Sequence, residues 1–375
     1  MNSEMKKIEI LSMQHVNNFG SFIQAYSLQG MLESLGGEVS FLDIEPREED
    51  NQLMQGKLID YGSELSHTSI TEKLLDGYLI NRFRNKAIRK HQDNIFQETR
   101  DKYFKKADPD EQFDLCVIGS DEVFNCMQES FWGFTSQLFG NVGNADKVIT
   151  YAACCGFTKL EDVPDKAVDK IRESFGKVKS FSVRDENTYE FVKSISDRSD
   201  ISYNLDPAVL GNFDKEVEEA KRIDKLPGKY CLIYSYPNRI HDEEDIKAIK
   251  EFCKEQGLEI VTIGIQMAWI DKYYAADPFQ LLKAFKEASF VITDTFHGTI
   301  FSAKYSDKFA IITRGSNQNK LVDLVNRLDL DDHMISSVSE IKNLADKKHD
   351  KTKMNNMLKE ELNKTMKYLE ENLNG

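Results

Sequence analysis

The chain has 375 residues, of which 40% are hydrophobic and 30% charged, a composition typical of folded globular proteins. This length predicts two domains, because a single hydrophobic core seldom grows beyond about 250 residues. The formal net charge of −14 at pH 7 argues against nucleic-acid binding, which requires a basic face to displace counterions from phosphates. An anionic substrate must therefore find a local basic pocket.

The sequence predicts neither a targeting segment nor a zinc site built from cysteines. The first residues, MNSEMKKIEILSMQ, lead directly into a strand pattern without the features of a signal peptide. No run approaches the roughly 18 apolar residues of a membrane helix. The six cysteines contain no CxxC pair, which favours buried free thiols over a zinc site. We expect a cytoplasmic protein without a bound metal.

Short apolar runs alternate with segments of helical period along the chain, as in βαβ units with a parallel sheet. The first half has predicted strands at 8–13, 38–44, 113–119, 148–155, 178–184 and 201–207. Between the first two, apolar residues from Phe22 to Leu35 recur at steps of three and four, which predicts a helix that ends at Gly36. These elements form the first predicted domain, residues 1–215.

The segment 46–112 interrupts this alternation and is interpreted as a helical insertion. Its part from Gly77 to Lys106 is basic. Such a segment is either a solvated helical face or a docking surface for an acidic polysaccharide or a membrane. The second alternative implies peripheral membrane association.

A second domain follows a charged stretch from Gly211 to Lys229, which contains Pro227-Gly228 and predicts a linker. Predicted strands lie at 230–236, 259–265, 290–295 and 309–313, with helices between them. They form the second predicted domain, residues 216–336, and a helical tail, residues 337–375, is expected to pack back on the first domain. The predicted fold class is α/β, with two Rossmann-like domains facing across a cleft in a GT-B-like arrangement.

Ligands of open parallel sheets bind beyond the carboxyl ends of the strands, where helix N-termini present N–H groups. The motif NNFGS, residues 17–21, follows the first predicted strand. Gly20 permits a tight turn there, and the helix from Ser21 offers amides to an anion. An ordinary strand-to-helix turn is the alternative.

Two further motifs follow strands of the first domain. In GSDEVFN, Asp121 accepts a hydroxyl proton or orients a sugar, or else Ser120 and Asp121 cap the next helix. In SVRDENT, the guanidinium of Arg184 binds phosphate or carboxylate, or else forms a surface ion pair with a neighbouring acid. Residue types alone leave both choices open.

The fourth motif, TDTFHGTIFSAKYSDKF, follows a strand of the second domain. His297 stands at a predicted helix N-terminus near the carboxylate of Asp294, a placement suited to acid–base chemistry near neutral pH. A lone histidine is more often structural. Asp294 and His297 provide only two metal ligands, which argues against a metal site.

These motifs resemble a known family. HVNNFGSFIQAYSLQGMLESLG, DLCVIGSDEVFN, TYAACCGF, SVRDENT, LDPAVLG and VITDTFHGTIFSAKYSDKF are similar, in order and spacing, to motifs of polysaccharide pyruvyl transferases. The resemblance runs from about His15 to about Leu330. It implies transfer of the enolpyruvyl unit of phosphoenolpyruvate onto two hydroxyls of a sugar, forming a ketal in capsule, exopolysaccharide or cell-wall synthesis. The partners implied are this donor and a sugar or lipid-linked oligosaccharide acceptor, with no cofactor.

The resemblance also implies residue roles. His297 is the expected acid–base catalyst, Arg184 contacts the donor, and Asp121, Asn125 and Asp294 contact the acceptor hydroxyls. Asp121 and Asp294 are expected to be catalytic together with His297. The other expected substrate-binding residues, which lie in or just after the same motifs, are Asn17, Asn18, Gly20, Ser21, Ser120, Thr295, Gly298, Thr299, Lys304 and Arg314.

One position departs from the family pattern. Better-characterised members often carry an arginine two residues before the motif histidine, whereas this chain has Thr295 there. Lys304 or Arg314 would have to supply the missing charge, or the donor differs from phosphoenolpyruvate. Two other functions stay open: a GT-B-type glycosyltransferase that uses a nucleotide sugar, and a non-catalytic glycan-binding protein.

Overall fold

The computed structural model describes residues 5–54, 56, 78–237, 239–313 and 318–375. The chain divides into two compact units: unit 1 comprises Met1–Thr68, Arg100–Gly211 and Glu360–Gly375, and unit 2 comprises Ser69–Thr99 and Asn212–Lys359. Neither unit is a continuous stretch of chain. The domain ranges expected from the sequence stay predictions, and the units differ from them in assigning residues 69–99 to the second half.

Unit 1 contains a six-stranded parallel sheet of order β2-β1-β3-β4-β5-β6. Its strands are β1 (Lys6–Leu11), β2 (Gly37–Phe41), β3 (Leu115–Asp121), β4 (Val148–Ala153), β5 (Val178–Val183) and β6 (Ile201–Tyr203). The helices that precede β7 in the chain are α1 (Phe19–Ser34), α2 (Glu48–Leu53), α3 (Tyr78–Tyr103), α4 (Asp165–Phe175), α5 (Glu186–Ser196), α6 (Pro207–Leu210) and α7 (Asp214–Glu219). Of these, α7 and the part of α3 up to Thr99 belong to unit 2. The central strands β3 and β4 are buried except at Asp121, the last residue of β3, as apolar runs in a parallel sheet should be.

Unit 2 contains a second six-stranded parallel sheet, of order β12-β11-β10-β7-β8-β9. Its strands are β7 (Tyr230–Tyr234), β8 (Glu259–Ile263), β9 (Tyr273–Tyr274), β10 (Phe290–Thr293), β11 (Phe309–Ile312) and β12 (Met334–Ile335). The helices that follow β7 in the chain are α8 (Glu243–Gln256), α9 (Pro278–Glu287), α10 (Phe296–Tyr305), α11 (Gln318–Leu328) and α12 (Thr352–Asn374). The part of α12 from Glu360 onwards belongs to unit 1. The predicted α/β class with two Rossmann-like sheets is confirmed, whereas the cleft stays a prediction.

Each sheet has a switch point where the order of its strands reverses. In unit 1 the chain starts at β1, adds β2 on one side and β3 on the other; in unit 2 it starts at β7, adds β8 on one side and β10 on the other. Loops that leave neighbouring strands at a switch point diverge to opposite sides and open a crevice at the carboxyl ends. The motifs after β1, β3 and β10 therefore stand at these two points.

The last helix closes unit 1 through specific polar contacts. The hydroxyl of Tyr368 donates to Thr150 O at 2.8 Å, and Asn204 Nδ2 donates to Thr365 Oγ1 at 3.1 Å. Lys147 Nζ donates to Asn372 O at 2.8 Å, where a cation stabilises the carbonyl end of a helix. Residues 360–375 are thus part of the core of this unit.

Two expectations from the composition concern the cysteines and the membrane. All six cysteines are buried free thiols, as the sequence predicted. In the described part of the chain, no helix combines the length and the apolar character that crossing a bilayer requires.

Glu9, in the middle of β1, is a buried acid within the sheet of unit 1. It is fully buried, and its Oε2 accepts a hydrogen bond from Asn144 Nδ2 at 3.0 Å. Burial raises the pKa of Glu9 to about 7, an effect only partly offset by hydrogen bonds from Asn144 and Cys116. The folded protein therefore resists ionisation of this carboxyl between about pH 4.5 and pH 7.

We predict that Glu9→Gln stabilises the protein at pH 8 by about 2–3 kcal/mol, because the variant no longer carries a buried charge. The folded-state pKa is raised, so the cost in the wild type grows as the pH rises from about 4.5 to 7 and disappears below that range. Denaturant unfolding at pH 8 and pH 4.5 measures the difference. The exposed Glu129→Gln is the control, and equal stabilisation at both pH values would contradict the prediction.

Candidate functional site

Asp121 ends β3 at the switch point of unit 1. Its φ of +73° lies in the left-handed region, which is sterically unfavourable for residues other than glycine but is tolerated by aspartate better than by most. Asp121 Oδ2 accepts a short hydrogen bond, 2.6 Å, from Ser21 Oγ in the first turn of α1. The structure thus brings together two predicted residues from different motifs, Asp121 and Ser21.

The NNFGS turn is occupied by its own side chains. Asn18 is the N-cap of α1, and its Oδ1 accepts from Gly20 N at 2.7 Å and from Ser21 N at 3.4 Å. These are two of the amides that the sequence assigned to an anion. Asn17 Oδ1 accepts from Arg100 Nη1 at 2.7 Å.

Arg100 is a residue of this site that sequence reasoning missed. It lies on α3 and is only 7% exposed, so at this position the basic segment is not a solvated face. Its hydrogen bond to Asn17 joins residues that are far apart in the sequence. In the sequence, the only sign of Arg100 is its position in a basic stretch. The sequence pattern could not show that its side chain is buried.

Ser120 and Asn125 flank Asp121 in different ways. Ser120 is fully buried, and its Oγ has no hydrogen-bond partner among the residues that the structure describes. Asn125 Nδ2 donates to Glu122 Oε2 at 2.7 Å, and its Oδ1 accepts from Thr158 Oγ1 at 2.9 Å. The amide of Asn125 therefore holds the loop after β3 together.

Arg184, just after β5, forms a buried ion pair. Its Nη1 lies 2.7 Å from Asp206 Oδ2, and the two side chains are 8% and 0% exposed. Burial alone would raise the pKa of Asp185, but the charge of Arg184 and hydrogen bonds from Cys154 and Thr188 hold it below its usual value. The negative charges of Asp206, Asp121 and Asp185 all favour the protonated form of this guanidinium.

The unit 2 site is built on the first turn of α10, which follows β10. Thr295 is the N-cap: its Oγ1 accepts from Gly298 N at 2.9 Å, and its carbonyl oxygen accepts from Thr299 Oγ1 at 3.0 Å. A threonine is favoured here because an arginine could not cap the helix in this way. His297 follows within the first turn, the end of a helix that attracts negative charge.

Gly298 fixes this turn against the sheet. A Cβ at this position would overlap Thr293 Oγ1 and lie 2.7 Å from Tyr234 Cδ1. The absence of a side chain therefore lets α10 approach the ends of β7 and β10, and it places His297 at the switch point.

Asp294 and Arg239 contact each other at the carboxyl ends of β10 and β7. Asp294 is only 1% exposed, and its carbonyl oxygen accepts from Arg239 Nη1 at 2.9 Å. The carboxylate Oδ1 lies 3.9 Å from the same nitrogen. Arg239 was missed because it comes from the loop after β7, and the sequence alone does not reveal that β7 and β10 are neighbours.

Lys304, a predicted residue of the same motif, does not join this group. Lys304 lies in the last turn of α10, seven residues and thus about 10 Å along the helix from His297. Its ammonium lies 5.6 Å from the centre of the Phe213 ring, and burial lowers the pKa of Lys304 to about 8. Arg314 lies outside the described residues.

Metal ligands are not gathered in the described ranges, where no three His, Cys, Asp or Glu side chains are grouped to hold an ion. The expected metal independence stays a prediction. The candidate chemistry therefore consists of Asp121 with Ser21 in unit 1, and of Asp294, His297 and Arg239 in unit 2.

Comparison with known proteins identifies the relatives of this chain. The model of the family described as polysaccharide pyruvyl transferase matches residues 18–316. The chain belongs to the polysaccharide pyruvyl transferase family. The matched region of this pyruvyl transferase family member begins inside the NNFGS motif, at Asn18, and includes the later motifs completely. No curated protein matches the chain.

Solved structures resemble this family member at low sequence identity. One is a UDP-glucosyltransferase from Polygonum tinctorium capable of glucosylating indoxyl, 8% identical over 100% of both chains, with a TM-score of 0.43. Another is an Arabidopsis thaliana protein complexed with UDP-L-rhamnose, 11% identical over 99% of this chain and 98% of that chain, with a TM-score of 0.46.

We predict that Gly119→Ala lowers the free energy of unfolding by about 2–4 kcal/mol. Gly119 has a φ of +125°, and a Cβ there would overlap Tyr151 O, so the ends of β3 and β4 must separate. Urea unfolding measures the loss. Gly143→Ala is the matched control, because nothing lies within 4 Å of a Cβ at that position; similar losses in both variants would contradict the prediction.

We predict that Gly298→Ala lowers the free energy of unfolding by about 1–3 kcal/mol, because the new methyl group pushes α10 away from Thr293. The control is Gly30→Ala in α1, where a Cβ meets nothing within 4 Å and alanine should stabilise the helix by about 0.5–1 kcal/mol. Thermal unfolding of both variants measures the contrast, and an unchanged Gly298→Ala protein would refute the packing argument.

Proposed function

We propose that this chain transfers pyruvate from phosphoenolpyruvate onto two hydroxyls of a sugar in capsule, exopolysaccharide or cell-wall synthesis. Family membership supports the transferase class. The observation that carries the proposal is the position of His297 at the head of α10, beside buried Asp294 and at the switch point of its sheet. Localisation in the cytoplasm and independence of cofactors are part of the proposal.

The reaction sets definite chemical demands. The methylene carbon of the donor must gain a proton, which leaves an oxocarbenium-like centre that the first hydroxyl attacks. Loss of phosphate and attack by the second hydroxyl complete the ketal. The two hydroxyls lose two protons: one is equivalent to the proton that converts the methylene into a methyl group, and the other ends on the released phosphate. A single side chain that both donates and accepts protons can therefore serve the reaction.

His297 is the residue proposed for that acid–base role. An imidazole changes its charge near neutral pH, and the N-terminus of α10 favours a nearby anion. Thr295 and Gly298 hold the turn that carries the imidazole, through the cap and through close packing. Asp294 is proposed to orient the reacting groups from its buried position.

Unit 1 is proposed to bind hydroxyls. The carboxylate of Asp121 accepts a hydrogen bond from Ser21, which holds it in place. A carboxylate held in this way can orient a sugar hydroxyl or take a proton from it. Arg184 was expected to contact the donor, but its charge is paired with Asp206 in surroundings rich in acids. This balance favours a neutral polyhydroxyl ligand over a trianionic one.

We predict that His297→Ala lowers phosphate release from phosphoenolpyruvate by at least about 100-fold, since loss of a general acid–base residue typically costs this much. The assay supplies phosphoenolpyruvate with a panel of lipid-linked and nucleotide sugars. The matched control is His241→Ala, because His241 is a largely exposed histidine of the same unit. Unchanged turnover in His297→Ala would exclude this histidine from the chemistry.

The donor is tested separately by ligand stabilisation. Phosphoenolpyruvate should raise the melting temperature of the wild type, because a ligand that binds only the native state stabilises it. A nucleotide sugar should not. Stabilisation by UDP-sugars alone would instead favour a glycosyltransferase of the same architecture.

A further inference from the structure

We propose that the guanidinium of Arg239 binds an anionic group of the donor, phosphate or carboxylate, beside His297. The inference rests on the proposed function for the identity of the donor, whereas binding of an oxyanion by Arg239 does not require it. Thr295 stands where related proteins often carry an arginine, so another residue must supply positive charge near His297. In this proposal that residue is Arg239.

The first support is the backbone tether of Arg239. Its Nη1 donates to the carbonyl oxygen of Asp294 at 2.9 Å, so the guanidinium is attached to the residue directly before the N-cap of α10. Asp294 and His297 are three residues apart. The tether therefore holds a positive charge next to the first turn of that helix, where N–H groups already favour an anion.

The second support is the orientation of the side chain. The guanidinium carbon lies 4.5 Å from the centre of the Tyr236 ring, a stacking distance that restricts the plane of the group. The Arg239 side chain is 28% exposed, so it is accessible to a ligand yet largely packed. A planar cation fixed in this way is suited to a phosphate or carboxylate, because its fork matches their oxygens.

The third support is the balance of charge at these strand ends. Asp294 is almost fully buried, and in its ionised form it would repel an anionic donor unless a cation compensated its charge. The distance of 3.9 Å from Arg239 Nη1 to Asp294 Oδ1 exceeds the roughly 2.8 Å of a charge-assisted hydrogen bond. Nη1 thus makes its shorter contact with the backbone oxygen, and the guanidinium still lies close enough to the carboxyl of Asp294 to offset its charge.

The experiment compares Arg239→Gln with Arg222→Gln in the full-length protein. Arg222 is a matched control: it also belongs to unit 2 and donates to backbone oxygens, at Leu226 and Pro227, but it precedes the start of β7. Phosphate-release kinetics give KM for phosphoenolpyruvate and kcat, and calorimetry gives the Kd of inorganic phosphate. Arg239→Gln should raise both KM and Kd at least tenfold, with a smaller effect on kcat, and Arg222→Gln should leave all three unchanged.

Arg239→Lys separates charge from shape. Lysine keeps the charge but loses the fork, so we expect partial recovery of phosphate binding, with thermal unfolding confirming that each variant folds. Unchanged KM and Kd in Arg239→Gln, or a wild type that does not bind phosphate, would overturn the inference. If the wild type binds phosphate but does not turn over phosphoenolpyruvate, the proposed function fails, and loss of phosphate binding in Arg239→Gln still supports the role of Arg239.

Discussion

The parallel ladder at each switch point is the constraint on which both candidate sites depend. In unit 2 the ladder pairs Tyr234 with Thr293, and Thr293 Oγ1 donates to Tyr234 O at 2.7 Å, so β7 and β10 end at the same level. Because parallel strands all run in one direction, the residues that follow them emerge at one edge. The loop that carries Arg239 and the turn that carries His297 therefore come together only if this register is kept.

Most strands of the fold could be predicted from the sequence, because buried parallel strands are nearly continuous apolar runs. The predicted segments 113–119 and 230–236 overlap β3 and β7 closely. The strands β9 (Tyr273–Tyr274) and β12 (Met334–Ile335) were missed, since two residues carry no periodic signal. The order of the strands could not be deduced either, because it depends on pairings between distant segments.

The candidate site shows the same division between local and distant information. Asp121 and His297 were found because Asp121 ends an apolar strand and His297 comes shortly after another one in the sequence. Arg100 and Arg239 were missed because their contacts, to Asn17 and to the carbonyl of Asp294, join residues far apart in the chain. Lys304 was chosen for its closeness in sequence to the motif, but a helix of ten residues carries its far end about 10 Å away.

The discontinuity of both units affects the order in which the protein folds during synthesis. Unit 1 needs residues 360–375, including Tyr368, which fills its core beside β4. The amino-terminal sheet therefore leaves the ribosome long before its last helix is made. Unit 2 is complete once residue 359 has emerged, so the half that is translated later can reach its native state first.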